Sequence, residues 1–279
     1  MSLVAGLNIE QLNDQTIIQA GGGRDLLPAG RALVRPFMYI ECGMHVESYK
    51  GKAKPAAPYF RFGMKIVGGI GKNLEGKVEK FVLEEGRYPQ LTPYFKQQLS
   101  FTEKAKTPKW LAALNKVGET KTHMALKVAD SELYYLDIGV ETKDDGKSYN
   151  TYDFSLLQPA IKFNEDEETG DVTEVVVKAP KLDESDMMIL IWDLATKEQW
   201  DSIHIEGTYD KKDKDGKVIE TVSKNRYQEE CMTATNWEGS LLQGIAGGIS
   251  MPDLDAEKTS SVPAVPATTE VPEVPEIPE

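Results

Sequence analysis

The sequence predicts a mainly β protein of the α+β class, in which an antiparallel barrel or sheet is decorated by a few helices. Three observations lead to this prediction. Several runs rich in β-branched and aromatic residues have the length of strands. Asp-Gly dipeptides at 145–146 and 215–216 mark tight turns, as in local hairpins. Few stretches combine helical spacing of apolar residues with capping residues.

Composition divides the chain into three parts. Residues 1–30 contain the run GGGRD and predict an irregular N-terminal arm, because consecutive glycines have high backbone entropy and no side chain to bury. Residues 31–245 predict one folded domain, since a chain of 279 residues with 40% hydrophobic content can bury a large core. Residues 246–279 are proline-rich, mostly acidic and free of aromatic residues, which predicts a disordered acidic tail.

Two long strands are predicted at the start of the domain. The run RALVRPFMYIECGMHV predicts the first, with a bend at Pro36 or Gly43. The run PYFRFGMKIV predicts the second, whose alternation places Phe60 and Phe62 in the core and Arg61 on the other face. Between them, KGKAKPAAP is interpreted as a basic loop.

The following segments predict short strands, hairpins and helices. After another strand pair, Thr107 is a plausible N-cap and Gly118 a plausible end of a helix whose apolar face includes Trp110. DDGK and DKDGK predict two hairpin turns, and MMILIWDL predicts a buried strand. A short helix is expected from Thr196, and another from Ser223.

Cysteine usage and hydropathy predict a soluble, cytoplasmic protein. Cys42 and Cys231 stand far apart without metal-type spacing, so neither a disulfide framework nor a cysteine-based metal site is expected. No run approaches the roughly 18 apolar residues of a membrane helix, and the first residues lack the pattern of a secretory signal. We therefore expect no membrane partner.

The enzyme motifs that the chain approaches are incomplete. IVGGIGKN lacks the first glycine and the final hydroxyl residue of a phosphate loop, and KKDKDGK lacks the acidic ligands of a calcium loop. His45, His123 and His204 have no ligand-type neighbours, and no nucleophile-elbow motif is present. We predict no enzymatic activity, no catalytic residue, no metal and no cofactor.

Charge is distributed unevenly along the chain. Its formal net charge is −13, yet residues 35–127 sum to +9 and residues 128–279 to −21. A local field depends on charges within a Debye length of about 8 to 10 Å. A basic surface can therefore exist on an acidic protein, provided that the carboxylates of the second half are held elsewhere. The alternative is that these lysines are ordinary solvated side chains.

Positive charge combined with aromatic residues is typical of proteins that bind single-stranded nucleic acid. Cations pair with phosphates and release counterions, while rings stack on bases. The leading candidates are Tyr49, Lys50, Lys52, Lys54, Tyr59, Arg61 and Lys65, followed by Lys96, Lys104, Lys106 and Lys109. Tyr149 and Tyr152 can either stack on bases or pack in the core, and both alternatives stay open.

Four segments carry a resemblance to a known family. GRALVRPFMYIECGMHVESYKGKAKPAAPYFRFGMKIVGG, FKQQLSFTEKAKTPKWLAALNKV, DGKSYNTYDFSLLQP and NRYQEECMTATNWEGSLLQ occur in this order between residues 30 and 244. In pattern and order they resemble bacteriophage single-stranded DNA-binding proteins that have an oligonucleotide-binding barrel (OB-fold). The chain departs from that pattern in its glycine-rich start and in the insert NEDEETGDVTEVVVKAPKLDESD.

The resemblance implies an OB-fold that coats single-stranded DNA in the host cytoplasm during phage replication, recombination or repair. It places Arg35 and Tyr39 on the stacking face of the barrel. It also implies that the tail contacts replication or recombination proteins through Glu270, Glu273, Glu276 and Glu279. A homo-oligomer is possible. Two alternatives remain open: a phage structural or assembly protein, and an acidic protein that binds a host factor.

Overall fold

A computed structural model describes residues 26–81, 88–144, 146–165, 172–213 and 216–247. The expected N-terminal arm lies outside the described residues up to position 25, and Ala29 and Gly30 already belong to the first strand. The expected tail lies outside them from position 248, and Ala246 is the last residue of a helix.

The described elements alternate many strands with short helices. The strands are β1 (Ala29–His45), β2 (Ser48–Tyr49), β3 (Lys52–Ala53), β4 (Ala57–Lys72), β5 (Val78–Lys80), β6 (Gln90–Leu91), β7 (Gln97–Gln98), β8 (Tyr134–Thr142), β9 (Ser148–Thr151), β10 (Gln158–Pro159), β11 (Ile161–Glu165), β12 (Val172–Val176), β13 (Met188–Leu190), β14 (Thr208–Lys212) and β15 (Val218–Ser223). The helices are α1 (Lys106–Leu114), α2 (Met124–Asp130), α3 (Lys197–Ser202), α4 (Arg226–Met232) and α5 (Leu241–Ala246). Short 3₁₀ helices cover Phe154–Leu156, Glu184–Asp186 and Trp192–Leu194.

One large sheet, ordered β10-β8-β1-β4-β5, organises the fold. Its neighbours are antiparallel except for β13, which runs parallel to β1. β6 and β7 pair with β4, and β9 pairs with β8. The mainly β, largely antiparallel prediction is confirmed. The described strands form no closed barrel, because β10 and β5 end the sheet on opposite sides.

The β1–β4 pair is long because both runs are rich in β-branched and aromatic residues, as the sequence predicts. Its register shifts at Leu33/Val34, Pro36/Met38 and Glu41/Gly43, and the last two shifts lie at the two positions where the sequence offers a bend. Gly43 has φ +80°, and a side chain there would meet the Trp192 ring. These shifts change which face successive residues occupy, so β1 contributes to cores on both sides of the sheet.

Each face of the sheet is covered by helices. On one face, Phe60 and Phe62 pack with Trp110 of α1 and with Phe154 of the 3₁₀ turn. The sequence predicted core positions for Phe60, Phe62 and Trp110. The second core contains Ile40 and three tryptophans, two buried and one partly buried; its helical residues lie in α3, α4, α5 and the 3₁₀ turn at Trp192–Leu194. The free thiols Cys42 of β1 and Cys231 of α4 are both buried in it.

Several local signals give the expected elements, with shifted boundaries. α3 follows Thr196, whose hydroxyl oxygen accepts a hydrogen bond from the amide of Gln199. The helix expected from Ser223 begins at Arg226. α1 begins after Ala105, so the prediction of Thr107 as its N-cap is wrong. The basic loop contains a small hairpin, β2–β3, and α2 has no counterpart in the prediction.

The glycines of the two predicted Asp-Gly turns have the backbone conformation that such turns require. Gly146 and Gly216 both have φ +79°, a conformation that glycine adopts without strain. They connect β8 with β9 and β14 with β15. In the part of the chain that the structure describes, every helix is too short to span a bilayer.

Candidate nucleic-acid interface

The β4 cations Arg61 and Lys65 are paired with carboxylates from the second half of the chain, and Lys96 is paired with one carboxylate from each half. Arg61 donates to both carboxylate oxygens of Glu230, at 2.5 and 3.0 Å. The Lys65 Nζ lies 2.5 Å from Asp186. The Lys96 Nζ lies 3.1 Å from Glu47 and 3.5 Å from Glu230. The expectation that these carboxylates lie elsewhere is therefore wrong, and none of the three cations presents an uncompensated charge to a phosphate.

Glu230 is the centre of this ion-pair network. Burial alone would raise the pKa of its carboxyl group, but the hydrogen bonds and charge of Arg61, together with Lys96, lower that pKa below its ordinary value. Because α4 carries Glu230 and β4 carries Arg61, the network ties the helix to the sheet. Its role in this structure is to hold two layers together.

Arg35 and Tyr39 are buried, so the stacking face that the resemblance implies on β1 is absent. Arg35 donates to the carbonyl oxygens of Ser131, Ala179 and Pro180, and burial lowers its pKa. The Tyr39 hydroxyl donates to Glu41 at 2.9 Å, and burial raises its pKa. Both side chains hold chain segments together. The expectation that they contact nucleic acid is therefore wrong, because both side chains are used inside the fold.

Tyr59 is also buried against its neighbours. Its ring meets the His45 ring edge-on, with centroids 6.0 Å apart. The Lys96 Nζ lies 5.5 Å from the Tyr59 ring centroid. Because one side of the ring faces a cation and its edge a histidine, Tyr59 does not offer a free face to a base.

The β2–β3 hairpin presents Lys50, Lys52 and Lys54 at the surface, as the sequence predicts. Its turn uses Lys50 at φ +50° and Gly51 at φ +76°. The flanking β1 and β4 residues His45 and Ala57 are paired, so the hairpin extends the end of the long strand pair. The backbone of Tyr49 belongs to this hairpin, and its side chain lies outside the described parts.

A different set of predicted residues lies together in a groove of about 640 Å³ between the start of α1 and the chain after β9. We name it the lysine groove and define it by the cations and rings Lys104, Lys106, Lys109, Trp110, Tyr152 and Phe154. The remaining wall consists of Pro93, Asn150, Thr151, Asp153 and Ser155. The three lysines are exposed at the surface. The groove therefore brings four of the predicted site residues together from two distant stretches.

Three aromatic rings form part of the wall of the lysine groove, but Trp110 and Phe154 are core residues only 4% and 1% exposed. The Tyr152 and Phe154 ring centroids are 5.2 Å apart with planes tilted by 36°, and Phe154 meets Trp110 edge-on at 5.2 Å. The Lys106 Nζ lies 5.8 Å from the Trp110 centroid. Tyr152 is half-buried, so it both packs on Phe154 and reaches the groove. Tyr152 therefore packs against the core, and its stacking on bases stays a prediction.

The cations of the lysine groove lie at the N-terminus of α1, where positive charge lowers the stability of a helix. The positive end of the α1 dipole is its N-terminus, where acidic side chains are normally favoured. α1 has no acidic residue in its first turn and no side-chain N-cap, and Lys104, Lys106 and Lys109 surround that turn instead. An anion bound there would relieve the repulsion.

Three exposed rings next to the groove were not singled out from the sequence. Tyr94, Phe95 and Phe101 are 86%, 75% and 77% exposed, and we name residues 94–101 the aromatic segment. The Tyr94 and Phe95 rings meet edge-on with centroids 4.8 Å apart. Arg61 donates to the Tyr94 carbonyl oxygen at 3.2 Å, which fixes this turn against β4. No signal in the sequence marks them, since the tripeptide PYF of residues 93–95 also occurs at residues 58–60, where it lies in β4 with both rings buried.

Tyr149 is exposed but already bonded. Its hydroxyl donates to Glu141 at 2.6 Å, and this hydrogen bond raises its pKa. The Lys143 Nζ lies 5.2 Å from its ring centroid. Tyr149 is on β9, and the groove begins at the following residue, Asn150. The ring therefore lies beside the lysine groove without lining it.

The tail glutamates Glu270, Glu273, Glu276 and Glu279 lie outside the described residues. Among the residues that are described, no three histidine, cysteine or acidic side chains are grouped to hold a metal ion.

Comparisons with known proteins give no match. No protein-family model matches the chain, and neither a curated protein nor a solved structure does.

Proposed function

We propose that the protein binds single-stranded DNA through the lysine groove and the aromatic segment. The observation that carries the proposal is the grouping of Lys104, Lys106 and Lys109 around an aromatic-lined groove, beside three exposed rings. Cations and accessible rings are the two ingredients of sequence-independent single-strand binding. The base faces are stacked inside duplex DNA, so exposed rings on the protein should bind a single strand more tightly than a duplex.

The three lysines supply the phosphate contacts. Each neutralised phosphate of a single strand lowers the slope of log affinity against log salt by about 0.7, so three contacts correspond to a slope near −2. The unfavourable placement of these cations at the start of α1 supports an anionic ligand, because a phosphate removes a repulsion that the unliganded protein carries.

The rings supply the base contacts. Stacking of one base on an aromatic side chain contributes about 1 to 3 kcal/mol and is tolerant of sequence. Phe95 and Phe101 are exposed enough to stack on bases. Tyr152 offers a ring inside the lysine groove itself.

In this proposal the protein coats exposed single strands in phage DNA replication, recombination or repair, within the host cytoplasm and without chemistry of its own. The resemblance to phage single-strand binders and their OB-fold belongs to the proposal, as does contact between the acidic tail and replication or recombination proteins. The basis for the tail contact is its charge, which suits a cationic partner.

Fluorescence anisotropy with an oligo-dT of about 16 nucleotides, the upper site size of one oligonucleotide-binding fold, tests the proposal against a duplex of equal length. The triple change Lys104→Glu, Lys106→Glu and Lys109→Glu should abolish most binding and flatten the salt slope. A matched triple change of exposed lysines elsewhere, Lys178→Glu, Lys181→Glu and Lys197→Glu, carries the same charge change.

The matched variant separates a site from a general charge effect. We expect it to retain most of the affinity and slope of the original protein. Equal losses in both variants, or equal affinity for duplex and single strand, would refute the lysine groove as a single-strand site.

A further inference from the structure

The Glu230 carboxylate binds two cations that hold the start of the aromatic segment. The Arg61 guanidinium donates to both Glu230 oxygens and, through Nη1, to the Tyr94 carbonyl oxygen at 3.2 Å. The Lys96 Nζ lies 3.5 Å from Glu230 and 3.1 Å from Glu47. One carboxylate therefore holds residue 94 through Arg61 and residue 96 directly.

Phe95 lies between these two points of attachment. Its ring is 75% exposed and meets the Tyr94 ring edge-on. Its carbonyl oxygen accepts a hydrogen bond from the Gln97 side-chain amide at 2.7 Å. Because an exposed ring has few packing contacts of its own, its position depends on how the backbone on either side is held. Here the Glu230 ion pairs hold the neighbouring residue on each side.

Phe101 belongs to the same segment but is held in another way. Its ring is 77% exposed. Between the two phenylalanines, β7 pairs with β4, and the Leu99 amide donates to the Pro58 carbonyl oxygen at 2.8 Å. These backbone hydrogen bonds do not involve Glu230. The segment therefore offers two exposed rings, of which only Phe95 lies between residues attached to Glu230.

We propose that Glu230 is a positioning residue for the Phe95 ring, so that an acidic side chain strengthens the binding of an anionic strand. The effect on DNA rests on the proposed function, whereas the attachment of residues 94–96 does not. A ring that is already held in place loses little freedom when a base stacks on it. Ordering one side chain on binding costs about two- to tenfold in affinity, and Glu230 removes that cost in advance.

The sign of the effect distinguishes positioning from simple electrostatics. Glu230→Gln removes a negative charge and releases Arg61, so electrostatic attraction alone predicts tighter DNA binding and a steeper dependence on salt. Loss of positioning predicts weaker binding, because a loosened Phe95 must be ordered again each time a base stacks on it. The two explanations therefore predict opposite changes from one substitution.

Fluorescence anisotropy with oligo-dT, well below the Tm of each variant, measures this change. We expect Glu230→Gln to weaken binding by about two- to tenfold. Arg61→Lys should do the same while keeping the charge beside Glu230, because a lysine lacks the planar fork that reaches both Glu230 and Tyr94. Gly69→Ala is the control for lost stability: it strains a backbone at φ +112°, next to residues 31–33, and should keep the original affinity.

A double-mutant cycle identifies the ring through which Glu230 acts. If that ring is Phe95, Glu230→Gln should weaken binding no further in a protein that already carries Phe95→Ala. The same change should keep its full effect in a protein that carries Phe101→Ala. A general loss of stability would instead give equal effects in both backgrounds, so a merely structural role of Glu230 does not produce this pattern.

Hydrogen exchange without DNA separates this inference from the proposed function. The amides of residues 94–96 should exchange faster in Glu230→Gln than in Gly69→Ala. Unchanged exchange there, an unchanged or tighter affinity of Glu230→Gln, or equal effects in the two ring backgrounds would overturn the inference and leave the proposed function intact. If the original protein does not bind oligo-dT, the proposed function and the effect on DNA fall together, while faster exchange still supports the attachment.

Discussion

Replacing Glu230 by glutamine should destabilise the fold, because Arg61 loses its carboxylate partner while Lys96 keeps only Glu47. Glu230 accepts two hydrogen bonds from Arg61 and lies 3.5 Å from the Lys96 Nζ. The Arg61 and Glu230 side chains are only 17% and 15% exposed. Breaking a buried pair by removing one partner costs about 3 to 5 kcal/mol. Because some solvent reaches this pair, we expect the lower end, about 3 kcal/mol.

Thermal unfolding followed by circular dichroism measures this loss. For a domain of about 150 to 250 residues, 1 kcal/mol shifts Tm by about 2 to 4 °C, so Glu230→Gln should lower Tm by about 6 to 12 °C. Asp193→Asn, an exposed change of the same chemistry, should leave Tm within about 1 to 2 °C because surface substitutions change stability by about 0.5 kcal/mol or less. A fall in Glu230→Gln as small as that of the control would refute the assignment of this network as the connection between α4 and β4.

Three further predictions concern the pH dependence of stability, the backbone at Gly69 and the exposed ring of Phe101. The lowered pKa of Glu230 means that its stabilisation is present above the ordinary glutamate pKa and is lost as pH falls through its folded value, so acid titration of unfolding should be shallower in Glu230→Gln than in the original protein. Gly69→Ala should cost about 1 to 3 kcal/mol in chemical denaturation, because Gly69 has φ +112° and a Cβ there would lie 2.5 Å from the Arg31 carbonyl oxygen; an unchanged midpoint would contradict this. Phe101→Ala should weaken oligo-dT binding by about 1 to 3 kcal/mol in anisotropy without lowering Tm, and equal affinity would remove Phe101 from the proposed stacking surface.

Local signals in the sequence predicted much of the fold. The glycines of the Asp-Gly turns, the Thr196 cap and the alternation of Phe60 and Phe62 depend on a few neighbouring residues, and all appear as expected. α2 was missed because its 7 residues carry too short a periodic pattern, and its cap is the His123 side chain, an uncommon N-cap.

Contacts between residues distant in sequence account for the features that the sequence did not predict. Arg61 and Glu230 are separated by 169 positions, and Lys65 and Asp186 by 121. No periodicity relates residues so far apart. The sequence therefore could not show that its basic and acidic parts form ion pairs with each other in the fold. The buried position of Arg35 has the same origin, since its carbonyl partners Ala179 and Pro180 arrive 144 and 145 positions later.

The residues of the candidate site were partly predictable, but their arrangement in space was not. Composition singled out Lys104, Lys106 and Lys109 individually, but their convergence with Tyr152 depends on the packing of α1 on the 3₁₀ turn after β9. Tyr94, Phe95 and Phe101 were passed over because an aromatic residue in a mainly β chain is usually counted toward the core.

The two thiols in the second core can report how often the molecule opens. Cys42 on β1 and Cys231 on α4 are both fully shielded from solvent. A thiol reagent can reach either sulfur only after the helical layer separates from the central strand, so the alkylation rate reports how often that separation occurs. No engineered probe is needed, and the same two sulfurs would report whether an occupied groove on the opposite face slows the event.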